Sequence, residues 1–510
     1  MTYRPTGAHA ALAALLALSF TTCCDDDCDC PSGSGASGAG GAGGGIPTEC
    51  VPSADNPYVA DSCGLFVSSS RGADNITDGT KADPFASISY AIEEAQRREQ
   101  SRIYVCGEPF EEAVQLPEGI SLYGALSCPA EADWQYSPED KTALSAEADV
   151  IPLRVTDAGE SHSVVAGFAV TARPAETAGG SSIAALVDGA TVSFEGCELV
   201  AQAGADGAAG DTPLGKGAEG VIGLDGKDGC LNADPVISPN PVALSCPNGD
   251  STTGGRGGMG DVIAGGGGIQ GTSDPVASGE VSNGGDGQTS SESCDQGGDG
   301  ADGDPGTPGA GASGIGTVNA TGYVGSLGQD GQSHGTPGQG GGGGGGARGA
   351  AACNTTTNAG PSGGNGGPGG CGGAPGGGGG AGGSSIALIS VSAAVTLSGC
   401  SLTAATGGQG GAGGDGQEGG DGRGGGDGGD GNKNNACPGG SGGKGGQGGA
   451  GGGGLGGHSL GIAHVGAAPT ETEVTIVLGS QGGGGLGGLG NANGGGDDGQ
   501  AAERLDMTAN

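Results

Sequence analysis

Short apolar runs, separated by polar and turn-forming residues, dominate the chain between residues 64 and 172. Each run is too short for a helix and has the composition of a β-strand. The runs are GLFVSS (64–69), RIYVC (102–106), AVQLP (113–117), GISLYGAL (119–126), VIPLRVT (150–156) and HSVVAGFAVTA (162–172). Their spacing predicts an all-β fold, either a sandwich or a solenoid.

One segment between the first two runs has a different period. Apolar side chains recur there at helical spacing, at Phe85, Ile88, Ile92 and Ala95. Asp83 is a suitable N-cap, and Pro84 suits the first helical position. The pattern therefore predicts one short amphipathic helix over residues 84–98.

An internal repeat favours the solenoid. Residues 181–204 (SSIAALVDGATVSFEGCELVAQAG) align without a gap with residues 384–407 (SSIALISVSAAVTLSGCSLTAATG), and a weaker copy spans 459–480. One such unit cannot bury its own apolar face, whereas stacked copies can. We therefore expect Ile183 and Ile386 on adjacent coils, about 4.8 Å apart, with the intervening glycine-rich sequence as an excursion.

Glycine makes up 129 of the 510 residues, and most of it follows residue 203. The stretches GAEGVIGLDGKDG (217–229), GGNGGPGGCGG (363–373) and GGKGGQGGAGG (442–452) carry glycine at every third position. This period matches a polyproline-II-like helix with one bare face, so that neighbouring helices can exchange main-chain hydrogen bonds. Disorder is the alternative that composition supports. Both readings remain open at this point.

The segments DGTKADPFASISYAIEEAQ and RIYVCGEPFEEAVQLPEGISLYGALSC resemble the first part of bacterial right-handed parallel β-helix proteins of the pectate-lyase-like type. With its glycine tracts, the chain resembles the PGRS-like glycine-rich surface lipoproteins. This resemblance implies an all-β, right-handed parallel β-helix with a short N-terminal capping helix and long glycine-rich insertions. It implies nothing about activity, because fold alone does not determine function.

The N-terminus is typical of an export signal. Arg4 precedes the apolar segment 8–20, and FTTC then ends at Cys23, which resembles a lipobox cysteine. Ordinary signal-peptide cleavage and cleavage before Cys24 are the alternatives. The expected organisation is a signal peptide (1–22), a tether (23–49), a β-helix opening module (50–203), a glycine-rich insertion (204–383), a coil (384–407), a second insertion (408–457), a coil (458–480) and a glycine-rich tail (481–510).

The formal net charge of −40 restricts the possible partners. Nucleic acids and anionic membrane surfaces require clustered cations, and only 17 Lys and Arg are present. A membrane is therefore expected as a partner only through an N-terminal lipid anchor. Cell-surface glycans or other proteins are the remaining candidates. The expected location is a bacterial cell surface or outer membrane, and secretion is the alternative.

Sixteen cysteines in an exported chain indicate disulfides. The candidate pairs that close the strand region are Cys50–Cys63, Cys106–Cys128 and Cys197–Cys400. Nearest-neighbour pairing in the glycine tracts predicts Cys230–Cys246 and Cys353–Cys371. Such bonds would stabilise segments that have no apolar core.

Two stretches approach the Ca²⁺-binding nonapeptide GGxGxDxUx: GGDGADGDP (297–305) and GGAGGDGQE (410–418). Both lack the large apolar residue at U, where Asp304 and Gln417 stand. We therefore expect no cofactor, with Ca²⁺ as a minor alternative. The sequence contains no GxSxG, HExxH, Walker or Rossmann motif, which argues against the enzyme classes that need them.

The sequence thus favours a surface-anchored structural or interaction protein, adhesin-like and without catalytic activity. The runner-up is a glycan-binding or polysaccharide-cleaving β-helix protein, and a calcium-dependent secreted adhesin is a further alternative. Sugar binding needs exposed aromatic side chains, for which the candidates are Tyr104, Tyr123, Trp134 and Tyr136. Charged side chains on the repeat strands are limited to Asp188, Glu195 and Glu198.

Overall fold

The computed structural model describes residues 48–510, apart from 76–77, 130–133, 158, 160, 280–281, 290–292 and 509–510. The chain divides into Met1–Pro47 and Thr48–Asn510, and all described residues lie in the second unit. In this part of the chain, no helix is long and apolar enough to cross a membrane.

The first part of the fold contains short strands, one α-helix and two 3-10 turns, Thr48–Cys50 and Asp61–Cys63. The elements are β1 Leu65–Val67, α1 Ile88–Arg97, β2 Arg102–Cys106, β3 Pro109–Glu111, β4 Val114–Pro117, β5 Ser121–Ser127, β6 Gln135–Tyr136, β7 Thr142–Ser145, β8 Leu153–Thr156, β9 His162–Ala166, β10 Phe168–Ala172, β11 Ser182–Asp188, β12 Thr191–Glu195 and β13 Glu198–Ala201. Every predicted apolar run contains at least one strand.

The later elements are separated by glycine-rich sequence. They are β14 Ala243–Ser245, β15 Ser251–Thr253, β16 Thr272–Asp274, β17 Thr317–Asn319, β18 Gly322–Val324, α2 Gly349–Ala352, β19 Ser385–Val391, β20 Ala394–Ser398, β21 Ser401–Ala404, β22 Ser459–Val465, β23 Thr470–Thr472, β24 Thr475–Leu478 and β25 Ala501–Asp506. The predicted glycine-rich tail 481–510 thus also contains a strand, β25.

Helix α1 begins four residues later than predicted. Its N-cap is Ser87, whose hydroxyl accepts the Tyr90 amide hydrogen bond, and not Asp83. The Phe85 amide donates to Phe66 O at 2.9 Å. The Asp83–Phe85 segment therefore lies beside β1 and does not start the helix. The Glu112 carboxylate accepts hydrogen bonds from the amides of Ile88 and Ser89 at the open end of the helix. Acceptors at this end satisfy amides that have no partner within the helix.

In the described part of the chain, the long strands form three mostly parallel sheets. Sheet 1 has the order β1-β2-β5-β9-β12-β20-β23, with β6 beside β5; sheet 2 is β24-β21-β13-β10-β7-β3; sheet 3 is β25-β22-β19-β11-β8-β4. Successive strands rotate through the sheets: β11 lies in sheet 3, β12 in sheet 1 and β13 in sheet 2. We call such a set of three strands a rung. The architecture is thus all-β with parallel sheets, as predicted.

The repeated sequences lie on adjacent rungs, although the glycine-rich residues 205–383 separate them. Strand β11 pairs in parallel with β19, and Ile183 stands opposite Ile386. This confirms the neighbour relation that the repeat predicts. The weaker copy follows on the next rung, where Ile386 pairs with Leu460.

A buried serine begins each of these rungs and explains why the repeat starts with this residue. The Ser182 hydroxyl accepts the Gln202 amide at 2.9 Å, and Ser385 accepts the Ala405 amide at 2.8 Å. Ser459 accepts the Gly479 amide at 3.1 Å in the same way. Each bond joins the start of a rung to its end, so one small polar side chain closes the rung and satisfies a backbone donor.

The apolar core lies between the sheets and draws on every rung. Its fully buried members include Leu122, Phe168, Phe194, Leu397 and Ile462. Helix α1 packs Ile88, Ala91, Ile92 and Ala95 against the same cluster at its first rungs. The helix thus covers apolar side chains that no earlier rung could cover.

The glycine-rich sequence forms a second, differently built region, which we call the glycine bundle. Its tracts are 204–229, 254–271, 293–312, 326–347, 360–383, 407–430, 437–457 and 480–500. Hydrogen bonds between tracts recur every three residues: Gly204 N to Thr406 O at 3.0 Å, Gly207 N to Gln409 O at 2.8 Å and Gly210 N to Ala412 O at 2.8 Å. This spacing is that of a polyproline-II-like helix. Of the two readings that the sequence left open, the structure therefore takes the ordered one.

Tract 360–383 lies inside the bundle and shows why every third residue must be glycine. Its glycines donate main-chain hydrogen bonds to three neighbouring tracts: Gly363 to Gly258 O, Gly364 to Cys437 O and Gly380 to Ala208 O. A Cβ atom added at Gly366 would lie 1.8 Å from Gly341 O. Tracts that approach this closely leave no room for any side chain.

Aspartate side chains complete the hydrogen bonding along the edges of the bundle. The Asp206 carboxylate accepts the Gln409 amide, Asp225 accepts the Asp427 amide and Asp228 accepts the Asp430 amide, at 2.6–2.9 Å. Part of the large negative charge is therefore structural, since carboxylates accept strong hydrogen bonds from amides.

Candidate functional site

A cavity of about 300 Å³ opens at the corner where sheet 1 turns into sheet 2. Pro52, Tyr136, Pro138, Lys141 and Glu195 line it, together with glycine turns of successive rungs. Polar and apolar side chains thus line the same cavity, whose volume is at the lower end of the range for ligand-binding sites. We call it the corner groove.

The glycine turns of the corner groove follow from backbone conformation. Gly167, Gly196 and Gly399 have φ of 69°, 58° and 60°, a region that favours glycine. The three turns stack, because Gly167 N donates to Glu195 O and Gly196 N donates to Ser398 O, at 2.9 and 2.8 Å. A Cβ atom at Gly196 or Gly399 would meet nothing within 4 Å, so conformation and not space selects glycine here.

The charged groups of the groove come from two rungs. Lys141 Nζ lies 2.7 Å from Glu198 Oε1. This ion pair spans β10, which lies between β7 and β13 in sheet 2. Glu195 is exposed at the rim and makes no such pair. Tyr136 is half-buried, and its amide donates to Pro57 O at 2.8 Å. A ring face, a carboxylate and peptide groups could together hold a small polar ligand such as one sugar ring.

No protein-family model, curated protein or solved structure matches this chain. The chemistry of its own residues therefore carries the functional argument.

Of the four aromatic candidates for sugar binding, only Tyr136 lies in the groove. Tyr104, Tyr123 and Trp134 are buried in a cluster around Phe66, and Tyr136 packs against the edge of this cluster while remaining partly exposed. The Tyr104 ring stacks between Phe66 and Tyr123, and its hydroxyl donates to Cys50 O at 2.7 Å. Burial raises the pKa of Tyr104. These three side chains stabilise the first rungs and do not form a sugar platform.

The structure forms two of the predicted disulfides, Cys50–Cys63 and Cys106–Cys128. The pairing predicted inside the glycine tracts is wrong. The observed bonds there are Cys230–Cys353, Cys246–Cys371 and Cys294–Cys437. Neighbouring tracts come from distant parts of the chain, so the cysteine nearest in space is not the nearest in sequence. Each bond joins residues 123 to 143 positions apart.

Cys197 and Cys400 do not form the predicted disulfide and are both buried free thiols. Each thiol donates to a carbonyl group instead, Cys197 to Val165 O at 3.2 Å and Cys400 to Phe194 O at 3.3 Å. Burial raises the pKa of the Cys197 thiol. Both residues act as small core side chains. Cys23, the predicted lipidation site, lies outside the described residues, as does the whole tether up to residue 47.

The calcium-like motifs use their carboxylates within the bundle. Asp299 and Asp302 accept the amides of Ser441 and Lys444 at 2.7 Å, and Asp415 accepts the Leu489 amide at 2.7 Å. Asp304 accepts hydrogen bonds from Ser278. The motif glycines and aspartates thus match the bundle's own three-residue repeat. The missing apolar residue at U was the signal in the sequence that separated them from the nonapeptide.

Among the described residues, one group of His, Cys, Asp or Glu side chains is close enough to hold a metal ion: Cys106, Glu108 and Cys128. Its two sulfurs are joined in a disulfide. Hydroxyl and amide donors of Ser68, Ser69 and Ser70 already surround the Glu108 carboxylate. Burial alone would raise the pKa of Glu108, but these hydrogen bonds stabilise the carboxylate more strongly. The pKa of Glu108 is therefore lowered. The group therefore has no free ligand atoms for an ion.

Proposed function

We propose that the three parallel sheets are the faces of a right-handed parallel β-helix and that each rung is one coil. The rotation of successive strands through the sheets supports this, as do the serines that close each rung. Parallel strands joined by crossovers are right-handed in nearly all known cases. In this description the glycine bundle consists of excursions from the coils.

We propose further that the protein is an exported, surface-anchored lipoprotein with a structural or interaction role, adhesin-like and without catalysis. The observation that carries this proposal is the glycine bundle. Its tracts bond to one another by main-chain groups. Three disulfides fasten the tracts and the loops between them. Such a region offers rigidity and extended surface but few side chains for catalysis.

The bundle changes how such a protein would make contacts. Flexible glycine loops would form a hydrated brush, which touches a partner weakly at many points. Hydrogen-bonded tracts instead present fixed rows of side chains, such as Val221, Ile222 and Leu224 on tract 204–229, all exposed. Fixed rows lose less conformational entropy on binding. We therefore expect contacts with a surface or a large partner that matches these rows.

A lipid anchor at Cys23 predicts a clear change in location. The variant Cys23→Ala should leave the membrane fraction, because the acyl chains provide the membrane affinity. Cell fractionation and mass spectrometry of the mature N-terminus measure this directly. Cys24→Ala is the matched control and should stay bound. If Cys23→Ala remains membrane-bound and acylated, the anchor lies elsewhere.

The non-catalytic role is tested by exposing the purified protein to pectin-like and other polysaccharides. We expect the reducing ends and unsaturated products to stay at background while binding to cells or surfaces is measurable. Turnover of any polysaccharide would overturn the proposal in favour of an enzyme.

The corner groove favours one second candidate, glycan binding. In that case Tyr136→Ala should weaken binding at least about fivefold, since an aromatic contact contributes about 1 kcal/mol beyond the area it buries. Glu195→Gln should weaken it through the loss of a charged acceptor. Asp188→Asn, on the same rung but outside the groove, is the control. A glycan array followed by titration of each variant gives the measurement, and equal affinities in all variants would exclude the groove.

A further inference from the structure

His458 is completely buried where β22 begins, and it joins three separate segments. Its Nε2 lies 2.9 Å from Ile315 O, and the Gln500 amide donates to its Nδ1 at 2.8 Å. The His458 amide donates to the Ser384 hydroxyl at 2.9 Å. The carbonyl at Nε2 needs a donor and the amide at Nδ1 needs an acceptor. Only the neutral imidazole with its proton on Nε2 satisfies both.

The segment held at Ile315 is a hairpin that leaves the glycine bundle and lies over sheet 3. We call residues 315–324, which contain β17 and β18, the strap. Val318 and Tyr323 pack against Ile183, Ile386 and Leu460 on the outer face of sheet 3. At the far end, Arg154 Nη1 and Nη2 donate to Ala320 O and Thr321 O at 2.8 and 3.1 Å. The strap thus covers an apolar surface and is fastened at both ends.

The segment held at Gln500 leads into β25, the last strand of sheet 3. Gln500 O accepts the Ser459 amide at 2.8 Å, next to the histidine bond. Met507 and Leu505, at the end of this strand, pack on the same apolar face as the strap. The His458 imidazole therefore connects the strap and the β25 segment, which both contact the outer apolar face of sheet 3, to the start of β22.

Beyond the Ile315 carbonyl at Nε2, the described surroundings of His458 offer little compensation for a positive charge. The Tyr323 ring meets the imidazole edge to face, with centroids 5.3 Å apart. Burial raises the pKa of the Tyr323 hydroxyl to about 12, so the hydroxyl stays neutral. The carboxylate of Asp497, three residues before Gln500, accepts from the Gly314 amide instead. Burial outweighs the hydrogen bond to the Ile315 carbonyl, which acts in the opposite direction, and lowers the pKa of His458 from its ordinary value of 6.5.

We propose that His458 is an acid-sensitive latch, which holds the strap and β25 on sheet 3 at neutral pH and releases them on acidification. Protonation puts a hydrogen on Nδ1, which can then no longer accept the hydrogen bond of the Gln500 amide. The two N–H groups repel each other instead. The released state has the ordinary histidine pKa and binds the proton more readily. The closed state is therefore fully favoured above pH 6.5, and its advantage falls as the pH drops below that value. Opening would expose an apolar face, so the latch provides acid-triggered interaction.

Hydrogen exchange of the full chain between pH 7.5 and 4.5, corrected for the intrinsic rates, tests the latch. One linked proton predicts that the opening constant of residues 315–324 and 500–508 rises by up to tenfold per pH unit below 6.5. The glycine bundle should keep its protection over the same range. His458→Asn retains an acceptor near the Nδ1 position but cannot titrate, and it should flatten the pH dependence. His162→Gln, an exposed histidine on β9, is the control and should leave it unchanged.

A second measurement does not depend on the folding of a variant. Magnetic resonance of labelled histidine in the wild-type protein should show His458 neutral, with the proton on Nε2, and titrating below pH 6.5. Equal protection of the strap at pH 7.5 and 4.5 would overturn the proposal. So would unchanged pH dependence in His458→Asn, or titration of His458 at or above its ordinary pKa.

Discussion

Replacing Gly366 with alanine should destabilise the protein by about 3 kcal/mol or more, at the upper end of the cost of overpacking. The added Cβ would lie 1.8 Å from Gly341 O and 2.4 Å from its carbonyl carbon. The clash is with backbone on an adjacent tract, so no side chain can rotate away. Relief requires tracts 326–347 and 360–383 to separate, which breaks hydrogen bonds such as Gly341 N to Gly367 O and Gly344 N to Gly364 O.

Gly424→Ala is the matched control on the same bundle. A Cβ atom there would meet nothing within 4 Å, and its backbone is outside the left-handed region. We expect its stability to change by less than about 1 kcal/mol, and to rise if the unfolded chain loses entropy. Denaturant unfolding of both variants, with all disulfides intact, gives the comparison. Equal effects at the two positions would contradict the close packing of the bundle.

Removal of the Cys294–Cys437 disulfide should have the second large effect. The double variant Cys294→Ala/Cys437→Ala frees a loop with a sequence separation of 143 residues. Long loops gain the most entropy when a bond is lost, and the expected loss of stability is about 2–5 kcal/mol. The bundle has little apolar core to offset it. Hydrogen exchange in tracts 293–312 and 437–457, together with the unfolding midpoint, measures the effect.

The double variant Cys50→Ala/Cys63→Ala provides the control for this experiment. Its bond spans only 13 residues and lies beside the first rungs, away from the bundle. It should lower the stability of the first rungs while the exchange rates of the glycine tracts stay unchanged. If both variants accelerate exchange in the tracts equally, the disulfides act on the whole chain and not locally on the bundle.

Strand composition and repetition were enough to predict the parallel-sheet region. The gapless alignment of 181–204 with 384–407 predicted that Ile183 and Ile386 are neighbours, and the register confirms it. The alignment works because stacked rungs require the same side chains in the same places. The start of α1 was mispredicted, since Asp83-Pro84 has the local features of a helix start while Phe85 hydrogen-bonds to β1.

The corner groove could not be predicted from sequence, because its members come from different rungs and a short loop. Tyr136 and Glu195 are distant in the chain, and neither carries a motif. The four aromatic candidates looked equivalent in sequence. Only packing distinguishes Tyr136, which stays partly exposed, from the three buried rings of the cluster around Phe66. The contacts of His458 were unpredictable for the same reason, since its partners Ile315 and Gln500 contribute only backbone atoms.

By itself, the sequence determined the β-rich composition, the repeat, the period of three in the glycine tracts and the −40 charge. These are properties of the local chain, because side-chain pattern and backbone freedom act over a few residues. Tertiary structure alone decided which tracts lie side by side, and hence the pairs Cys230–Cys353, Cys246–Cys371 and Cys294–Cys437. The glycine triplets of different tracts are nearly identical in sequence and carry no information about their neighbours. The path of the chain through the rungs therefore determines which tracts lie side by side.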